Sequence, residues 1–327
     1  MKTILVTGGL GFIGSNFVLQ EIASGNRVIN LDKVTYAANY ANVKPVESNA
    51  NYQLIKGDIC DNNLVKKIFD ENKIDWVAHF AAESHVDNSI EKPSEFIETN
   101  ILGTYNLLQN SLQYYKDKKP EGFRFLHVST DEVFGSLEEN SPKFNEDTKY
   151  DPSSPYSSSK AASDHLVKAW HRTYGLPILM TNCSNNYGPR QHKEKLIPKI
   201  IFCCLEEKPI PIYGKGNNVR DWIFVEDHCK GIKLTFEKGR IGESYLFGGN
   251  CEKTNIEVVN TICDIMDKRK PRKNGASYKD LINFVTDRLG HYFRYAIDGR
   301  KALAEFGYNP KPDFAGYINK TIDYYIS

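Results

Sequence analysis

The sequence predicts an α/β protein with a doubly wound parallel sheet and a smaller, discontinuous α/β domain. Short apolar segments alternate with helical patterns along the first part of the chain, which is typical of parallel sheets covered by helices. A glycine-rich turn directly follows the first apolar segment, and the pattern changes after about residue 185. In such sheets ligands bind beyond the carboxyl ends of the strands, so we expect the functional residues there.

The composition is that of an ordinary globular protein. The chain has 327 residues, of which 40% are hydrophobic and 25% charged, enough for one large domain or two small ones. A net charge of +1 gives no indication of a nucleic-acid or membrane partner. Seven scattered cysteines lack the spacing of a zinc site or a disulfide framework. We therefore expect reduced thiols, no metal site and a cytoplasmic location.

The first element is a buried strand over residues 3–7, followed by a helix over residues 15–22. Between them, Gly9-Leu10-Gly11-Phe12-Ile13-Gly14 matches the G-x-G-x-x-G pattern in its strand–turn–helix context. The glycines, beginning at Gly8, permit a tight turn and let a pyrophosphate approach the helix N-terminus. A glycine turn without a ligand is the alternative. The context favours a Rossmann dinucleotide site.

The second strand, residues 27–31, ends in Asp32. A carboxylate at this distance from the glycines accepts hydrogen bonds from the adenosine ribose and repels a 2′-phosphate. The sequence therefore predicts NAD rather than NADP as the cofactor, and the adjacent Lys33 weakens that preference without reversing it.

Two further strands are predicted over residues 52–56 and 76–80. The first leads into Gly57-Asp58-Ile59, where Asp58 either contacts the adenine edge or caps a helix that starts near Asn63. The second leads into Ala81-Ala82-Glu83-Ser84-His85, whose small residues let a cofactor lie close. Taken alone, His85 fits a structural role better than a catalytic one.

The fifth strand, residues 123–128, delivers Ser129-Thr130-Asp131-Glu132 to the same edge of the sheet. Adjacent carboxylates can act as general acid and general base, and hydride transfer alone does not need them. A solvated loop or a helix N-terminus is the alternative use of adjacent acids. Their position after a buried strand favours catalysis, and specifically a reaction that removes water.

Tyr156 and Lys160 are four residues apart and share one face of a predicted helix. A lysine ammonium near a tyrosine hydroxyl favours the phenolate, so we expect the pKa of Tyr156 to be lowered. The pair then suits removal of a proton from an alcohol during hydride transfer. An incidental Tyr and Lys on a surface helix is the alternative, and the glycine motif argues against it.

These motifs resemble those of the extended short-chain dehydrogenase/reductase superfamily, and within it the dTDP-glucose 4,6-dehydratases. The resemblance runs nearly end to end, and the Thr-Asp-Glu triplet at 130–132 is its most specific element. It is carried by TGGLGFIGSNF (7–17), DKVTYAANYANV (32–43), FAAESHVDNSI (80–90), TNILGTYNLL (99–108), VSTDEVFG (128–135), PYSSSKAASDHL (155–166), NCSNNYGPRQHKEKLIPK (182–199), PIYGKGNNVRDWIFVEDH (211–228), GGNCEKTNIEVV (248–259) and DRLGHYFRYAIDGRK (287–301).

The resemblance implies a reaction in three steps. Tyr156, assisted by Lys160 and Thr130, takes the proton of the sugar 4-hydroxyl while hydride passes to a tightly held NAD. Glu132 then removes the carbon-5 proton, and Asp131 protonates the leaving 6-hydroxyl. Hydride finally returns to carbon 6 and a proton to carbon 5, which yields a 4-keto-6-deoxy sugar nucleotide.

The resemblance also implies two sets of binding residues. Those expected to contact NAD are Gly8, Gly11, Phe12, Ile13, Gly14, Asp32, Lys33, Thr35, Asp58, Ile59, Ala81, Ala82, Ser84, Thr99, Tyr156, Lys160 and Asn185. Those expected to contact the sugar nucleotide are Ser84, His85, Thr130, Asn186, Lys195, Leu196, Pro211, Tyr213, Arg220, Asn255, Arg288 and His291. Arg220 and Arg288 suit bidentate contacts to a diphosphate.

The predicted domains are discontinuous. Residues 1–187 plus 225–249 would form the NAD-binding domain, and residues 188–224 plus 250–327 the sugar-nucleotide-binding domain. Helical patterns over 102–115 and 161–174 could simply pack on the sheet. In the family the equivalent helices pair across a twofold axis, so the resemblance implies a homodimer.

Several positions depart from the family pattern. Asn88 stands where the family usually has Arg, and Arg190 stands where it has an aromatic residue. His192-Lys193 replaces the pair Phe-Pro, Leu289 replaces a Pro, and Tyr292 replaces an Asp. We expect Asn88 and Leu289 to alter loop support, and residues 190–193 to make the sugar-side wall more basic. The choice of thymine or uracil stays open, because one methyl group discriminates by only about 1–3 kcal/mol.

Three alternatives remain beside the dTDP-glucose 4,6-dehydratase. The first is a UDP-glucose 4,6-dehydratase. The second is another sugar-nucleotide enzyme, although an epimerase has no role for Asp131 and Glu132, and both carboxylates would repel the hexuronate of a decarboxylase. The third is a non-catalytic NAD-binding scaffold or sensor, which would not need Tyr156 and Lys160.

Overall fold

The computed structural model describes residues 1–287 and 292–326 and contains the predicted parallel sheet. Seven parallel strands lie in the order β10-β6-β5-β4-β1-β2-β3. Their bounds are β1 (Thr3–Thr7), β2 (Arg27–Asp32), β3 (Tyr52–Lys56), β4 (Trp76–His79), β5 (Arg124–Thr130), β6 (Ile178–Cys183) and β10 (Ser244–Phe247).

Helices cover both faces of this sheet. Along β1, Ile4 and Val6 face one apolar layer and Leu5 faces the other, as expected for a strand buried on both sides. The helices are α1 (Phe12–Ala23), α2 (Asn62–Glu71), α3 (Val86–Glu91), α4 (Pro93–Phe96), α5 (Thr104–Lys118), α6 (Pro155–Tyr174), α7 (Leu196–Leu205), α8 (Val225–Lys238), α9 (Asn255–Arg269), α10 (Arg300–Phe306) and α11 (Phe314–Ile326). Helices α1 and α8 pack on one face, and α2, α5 and α6 on the other.

Smaller sheets lie outside the main one. In one of them β9 (Val219–Phe224) pairs with β7 (Asn185–Tyr187), β11 (Glu252–Thr254) and β13 (Arg294–Tyr295). In the other, β8 (Ile210–Tyr213) pairs with β12 (Ile282–Val285). They share an apolar cluster with α7, α9 and α11, which includes Ile201, Ile262 and Ile318. The domain boundaries given above stay a prediction, although β10 does return to the main sheet.

Several predicted elements differ locally from the observed ones. The first helix begins at Phe12 rather than at residue 15, because Gly11 already occupies its N-cap position. The side chain of Asp61, and not that of Asp58, caps α2 by accepting from the Asn63 and Leu64 amides. The expected turn at 185–189 includes the short strand β7, since its backbone pairs with β9.

The helix predicted from residue 102 is preceded by a π-helical segment, Ile97–Gly103, and then continues as α5. Asn100 in this segment is buried; its amide oxygen accepts from Glu83 N at 2.8 Å and its Nδ2 donates to Ser159 Oγ at 2.8 Å. Such wide turns occur often at functional sites, and this one ties the loop after β4 to α6. Within the described residues, no helix has the length and apolarity needed to cross a membrane.

Candidate active site

A cavity of about 330 Å³ lies at the carboxyl ends of the main-sheet strands. The ends of β1, β2, β4, β5 and β6 all contribute to its wall, as expected for a parallel doubly wound sheet. Every residue predicted to contact NAD lines this cavity, and so do the five predicted catalytic residues, Thr130, Asp131, Glu132, Tyr156 and Lys160.

The glycine turn at the cavity wall excludes side chains. Gly8 has a φ of +75°, and a Cβ there would lie 2.8 Å from the Ala81 Cα. A Cβ on Gly14 would lie 2.3 Å from the Gly8 carbonyl oxygen. The turn therefore brings backbone amides at the start of α1 directly to the cavity, a cradle that fits the pyrophosphate of NAD.

Asp32 holds this turn from the neighbouring strand. Its Oδ2 accepts from Leu10 N and its Oδ1 accepts from Val34 N, both at 2.8 Å. The carboxylate is buried but lines the cavity, so it keeps capacity for ribose hydroxyls. Beside it, Lys33 Nζ lies 2.7 Å from Asp58 Oδ2, which leaves Asp58 at the cavity wall and not at a helix cap.

The triplet Thr130-Asp131-Glu132 forms the transition from β5 to a 3₁₀ turn, Asp131–Phe134. The Thr130 hydroxyl caps the turn by accepting from Glu132 N at 3.2 Å. Asn182 on β6 donates to the Thr130 carbonyl oxygen at 3.0 Å and fixes the strand end. Asp131 is thereby directed into the protein and is only 3% exposed, whereas Glu132 is half-buried.

The pKa of Asp131 lies well above its ordinary value. Burial is the main cause, and the negative charges of Glu132 and Asp221 add to it, while Arg220 acts in the opposite direction. Two adjacent carboxyl groups in one cavity cannot both ionise freely, and the environment favours the protonated form of the buried one. The pair can therefore supply an acid and a base.

Tyr156 and Lys160 lie on α6 beside this pair, and both are buried. Burial raises the pKa of Tyr156 well above its ordinary value, and the charge of Glu132 raises it further, although a hydrogen bond with Thr130 opposes this. The expected lowering of the Tyr156 pKa is therefore wrong for the protein chain by itself. Burial lowers the pKa of Lys160 to about 8, and its Nζ donates to the Val128 carbonyl oxygen at 2.9 Å.

The predicted sugar-nucleotide residues are only partly brought together. Ser84, Thr130, Asn186 and Lys195 line the cavity. Six others lie elsewhere in the described structure: His85, Leu196, Pro211, Tyr213, Arg220 and Asn255. Arg288 and His291 lie outside the described residues, as does Leu289. The role of each as a substrate contact stays a prediction.

Arg220 does not line the cavity but lies near one of the catalytic carboxyl groups. Its guanidinium is buried and lies 4.3 Å from the Tyr295 ring centroid. It donates to the carbonyl oxygens of Val219 at 2.8 Å and Tyr292 at 3.0 Å. These contacts hold β13 and the preceding backbone against β9, close enough for Arg220 to act on the pKa of Asp131.

Several residues that line the cavity were not among the predicted site residues, and three of them carry acidic side chains or a thiol. Cys183 ends β6, and its thiol accepts from Asn186 Nδ2 at 3.2 Å. Glu194 lines the cavity next to His192, whose Nδ1 lies 3.5 Å from Glu194 Oε2. Glu83 follows β4 and also lines the cavity. Their positions at strand ends and beside Lys195 were the available signal.

The departures at 190–193 act differently from the expectation. Arg190 does not line the cavity; its Nη1 donates to Asn16 Oδ1 at 2.9 Å and its Nε to the Asn42 carbonyl oxygen at 3.2 Å. It adopts a φ of +74° and fastens the loop to α1. Gln191 and His192 do line the cavity, and Glu194 offsets the basic character of His192. Only part of this run therefore reaches the cavity.

Comparisons with known proteins identify the family. Residues 5–321 match the model of the GDP-mannose 4,6 dehydratase family. The chain is 53% identical to a dTDP-glucose 4,6-dehydratase of Xanthomonas campestris, over 100% of this chain and 94% of the relative.

Two solved structures share the fold. A dTDP-glucose 4,6-dehydratase of Streptomyces venezuelae with NAD bound superposes with a TM-score of 0.89 at 43% identity, over 99% of this chain and 97% of that one. The enzyme of Bacillus anthracis, also in complex with NAD, gives a TM-score of 0.87 at 42% identity, over 100% and 97%. The predicted fold class is confirmed.

Proposed function

The chain belongs to the GDP-mannose 4,6 dehydratase family and, within it, to the dTDP-glucose 4,6-dehydratases, and from this membership and its cavity we propose the reaction. It is an NAD-dependent hydro-lyase that converts dTDP-glucose to dTDP-4-keto-6-deoxyglucose and water. The observation that carries the proposal is the buried Asp131, whose pKa is raised well above its ordinary value, beside Glu132 and in the same cavity as Tyr156.

The oxidation step uses Tyr156 as the base. Its phenolate oxygen accepts the proton of the sugar 4-hydroxyl, and the hydrogen bond with Thr130 stabilises that phenolate. Lys160 supplies the neighbouring positive charge. Bound NAD would supply the acceptor of the carbon-4 hydride and, once reduced, its donor to carbon 6, while a proton returns to carbon 5; its positively charged ring would favour the ionised Tyr156.

The elimination step uses the two carboxyl groups. The new 4-keto group acidifies the carbon-5 proton, which Glu132 removes. Asp131 donates its proton to the 6-hydroxyl, which leaves as water. Acid and base differ in burial, because the 3₁₀ turn directs one inward and leaves the other half-buried. In an epimerase, neither Asp131 nor Glu132 would have a role.

The chain's own residues hold the cofactor. Backbone amides at the start of α1 bind the pyrophosphate, and Asp32 accepts from the adenosine ribose. The ion pair of Lys33 with Asp58 borders the adenine end. At the other end, Asn185 and Ser84 flank the sugar and nicotinamide, and Lys195, which donates to the Ser84 carbonyl oxygen at 3.2 Å, faces the substrate phosphates.

Mass spectrometry tests the reaction. The protein is incubated with dTDP-glucose and with UDP-glucose in parallel, first without and then with added NAD. Loss of one water from the thymidine compound, already without added NAD, is the expected result and indicates a tightly held cofactor. Loss of water from the uridine compound alone would change the substrate assignment to UDP-glucose. No loss from either would reject the dehydratase.

The quaternary structure is part of the proposal. Ile97, Leu102 and Tyr105 are 46%, 53% and 46% exposed on the π-helical segment and α5, beside Tyr174 of α6. An apolar surface of this kind is expected to be covered. We infer that these helices pair with a second copy to form a homodimer, which sedimentation at micromolar protein tests.

Two further parts of the proposal concern location and domain organisation. All seven cysteines are free thiols, including the buried Cys183, Cys204, Cys229 and Cys263, which fits the reducing cytoplasm. We infer that residues 1–187 plus 225–249 form the NAD-binding domain. The pairing of β10 with β6 supports this assignment.

A further inference from the structure

A buried polar cluster adjoins the catalytic lysine and takes no part in the reaction described above. We call it the Asp164 cluster; it comprises Asp164, His127, Ser129 and Tyr150. Asp164 and His127 are 0% exposed and do not line the cavity, whereas Lys160 does. Charged groups are rarely buried so completely unless they are paired, so the cluster requires an explanation.

The cluster connects two consecutive turns of α6 through β5. Lys160 Nζ lies 3.3 Å from His127 Nε2. His127 Nε2 in turn lies 3.2 Å from Asp164 Oδ1. The other oxygen of Asp164 accepts from Ser129 Oγ at 2.8 Å and from Tyr150 OH at 2.9 Å. One imidazole nitrogen therefore lies between a buried ammonium and a buried carboxylate.

The charges in this arrangement follow from the pKa directions. The pKa of Asp164 is lowered despite its burial, because His127, Lys160 and Ser129 all favour the carboxylate. Burial and the charge of Lys160 lower the pKa of His127 to about 4, so the imidazole is neutral at physiological pH. The only opposite charge acting on Lys160 from its own helix is that of Asp164, which offsets part of its burial.

We propose that Asp164 is a positioning residue whose buried carboxylate charge, one helical turn from Lys160 and on the far side of His127, keeps the buried Lys160 charged and directed at the cavity beside Tyr156. The inference rests on the proposed function, because it assigns Asp164 a part in the hydride step. His127 Nε2 accepts from the Lys160 ammonium, and Asp164 acts on Lys160 through its charge.

Other titratable groups act on the cluster from each neighbouring strand, helix or loop. None of these groups can replace Asp164, because Asp164 is the one carboxylate of α6 that lies within a helical turn of Lys160. They are His79 of β4, Cys183 of β6 and Lys168 of α6, while Asp131 and Glu132 act on the neighbouring Tyr156.

The test isolates the hydride step from elimination. A 6-deoxy analogue of dTDP-glucose can be oxidised at carbon 4 but cannot lose water, so Asp131 and Glu132 have no part in its reaction. The rate of nicotinamide reduction is followed by stopped flow across the pH range for wild type, Asp164→Asn and Tyr150→Phe. The last variant is the matched control, because it removes one hydrogen bond to Asp164 but retains the carboxylate charge.

The expected result is a shift of the alkaline limb of the pH–rate profile, with the acid limb unchanged. In Asp164→Asn, the pH at which the rate falls by half should decrease by about one unit, because the Lys160 ammonium loses its counter-charge. Tyr150→Phe should retain the wild-type midpoint. Equal alkaline midpoints in wild type and Asp164→Asn would overturn the inference. Failure of the wild type to reduce nicotinamide at all would instead count against the proposed function.

A second measurement needs no activity. In wild-type protein with labelled histidine, the chemical shifts of the His127 ring nitrogens should change with a midpoint near the Lys160 pKa of about 8, because Lys160 Nζ lies 3.3 Å from His127 Nε2. The signal is assigned by comparison with His127→Gln, and the midpoint should decrease in Asp164→Asn. A midpoint that is the same in wild type and Asp164→Asn would also overturn the inference.

Discussion

The hydroxyl of Thr130 accepts a hydrogen bond from the backbone amide of Glu132 at 3.2 Å, across the intervening Asp131. This contact ends β5 and starts the 3₁₀ turn, so two neighbouring carboxyl groups point to different surroundings. The difference in environment, more than the residue types, allows one to serve as acid and the other as base.

Asp131→Asn and Glu132→Gln should each retain oxidation at carbon 4 but lose dehydration by about 100-fold or more, because each removes one proton-transfer group. Reduced nicotinamide and water loss, measured on the same sample, separate the two steps. Glu139→Gln is the matched control, since Glu139 is exposed and belongs to the same loop. A variant of the pair that dehydrates at the wild-type rate would disprove its assignment.

Asp131 should also make the protein less stable as pH rises. The pKa of Asp131 is raised in the folded protein. Its contribution to the free energy of unfolding is therefore fully present below the pKa that Asp131 has in the unfolded chain, and it is lost as pH rises through the pKa in the folded protein. Between those values, wild type should lose about 1.4 kcal/mol per pH unit relative to Asp131→Asn. Denaturant unfolding of both proteins at several pH values measures this difference, and parallel curves would contradict it.

Gly14→Ala should weaken NAD binding and destabilise the fold by about 1–3 kcal/mol, because the new Cβ overlaps the Gly8 carbonyl oxygen. Gly299→Ala is the control, since its Cβ would meet no atom nearer than 3.8 Å. Cofactor content after gel filtration and the unfolding midpoint are the readouts. Full NAD retention in Gly14→Ala would show that the turn is not the pyrophosphate site.

Leu102→Glu should convert the dimer to a monomer, because it places a charge in the proposed apolar interface. Leu303→Glu is matched in chemistry and exposure, with Leu303 47% exposed on α10. Sedimentation velocity distinguishes the two masses. The interface is misplaced if Leu102→Glu stays dimeric or if Leu303→Glu dissociates.

Asp32→Ala should reduce the preference for NAD over NADP, because the carboxylate that repels a 2′-phosphate is removed and Lys33 remains. The same change releases the amides of Leu10 and Val34, so overall affinity should also fall. Titration of both cofactors against stripped protein gives the ratio. An unchanged ratio would exclude Asp32 as the selecting residue.

All the residues that the sequence analysis assigned to NAD line one cavity, and their role as NAD contacts stays a prediction. Residues after β1, β2, β4 and β5 necessarily meet at one edge of a parallel sheet, so strand order alone brings Gly14, Asp32 and Asp131 together. Local patterns also located Tyr156 and Lys160 on one helix face.

Tertiary contacts were not predictable in the same way. Asp58 and Asp61 both precede α2 in sequence, but Asp61 accepts from the Asn63 and Leu64 amides whereas Asp58 pairs with Lys33. The pKa of Tyr156 is raised and not lowered, because burial and the nearby charge of Glu132 act in the same direction. Arg190 was placed near the sugar, whereas Asn16 draws it to α1. Each outcome depends on burial and on partners distant in sequence.

The π-helical segment Ile97–Gly103 constrains how this protein can evolve. Deleting one residue there would restore a regular α-helix, but it would rotate the upstream part by about 100° and shift it by about 1.5 Å. Asn100 would then lose its place between Glu83 and Ser159. Exposed positions such as Ile97 and Leu102 can change side chain without disturbing these contacts, whereas a change in the length of the segment cannot. The number of residues in the segment is therefore itself an inherited property of the site.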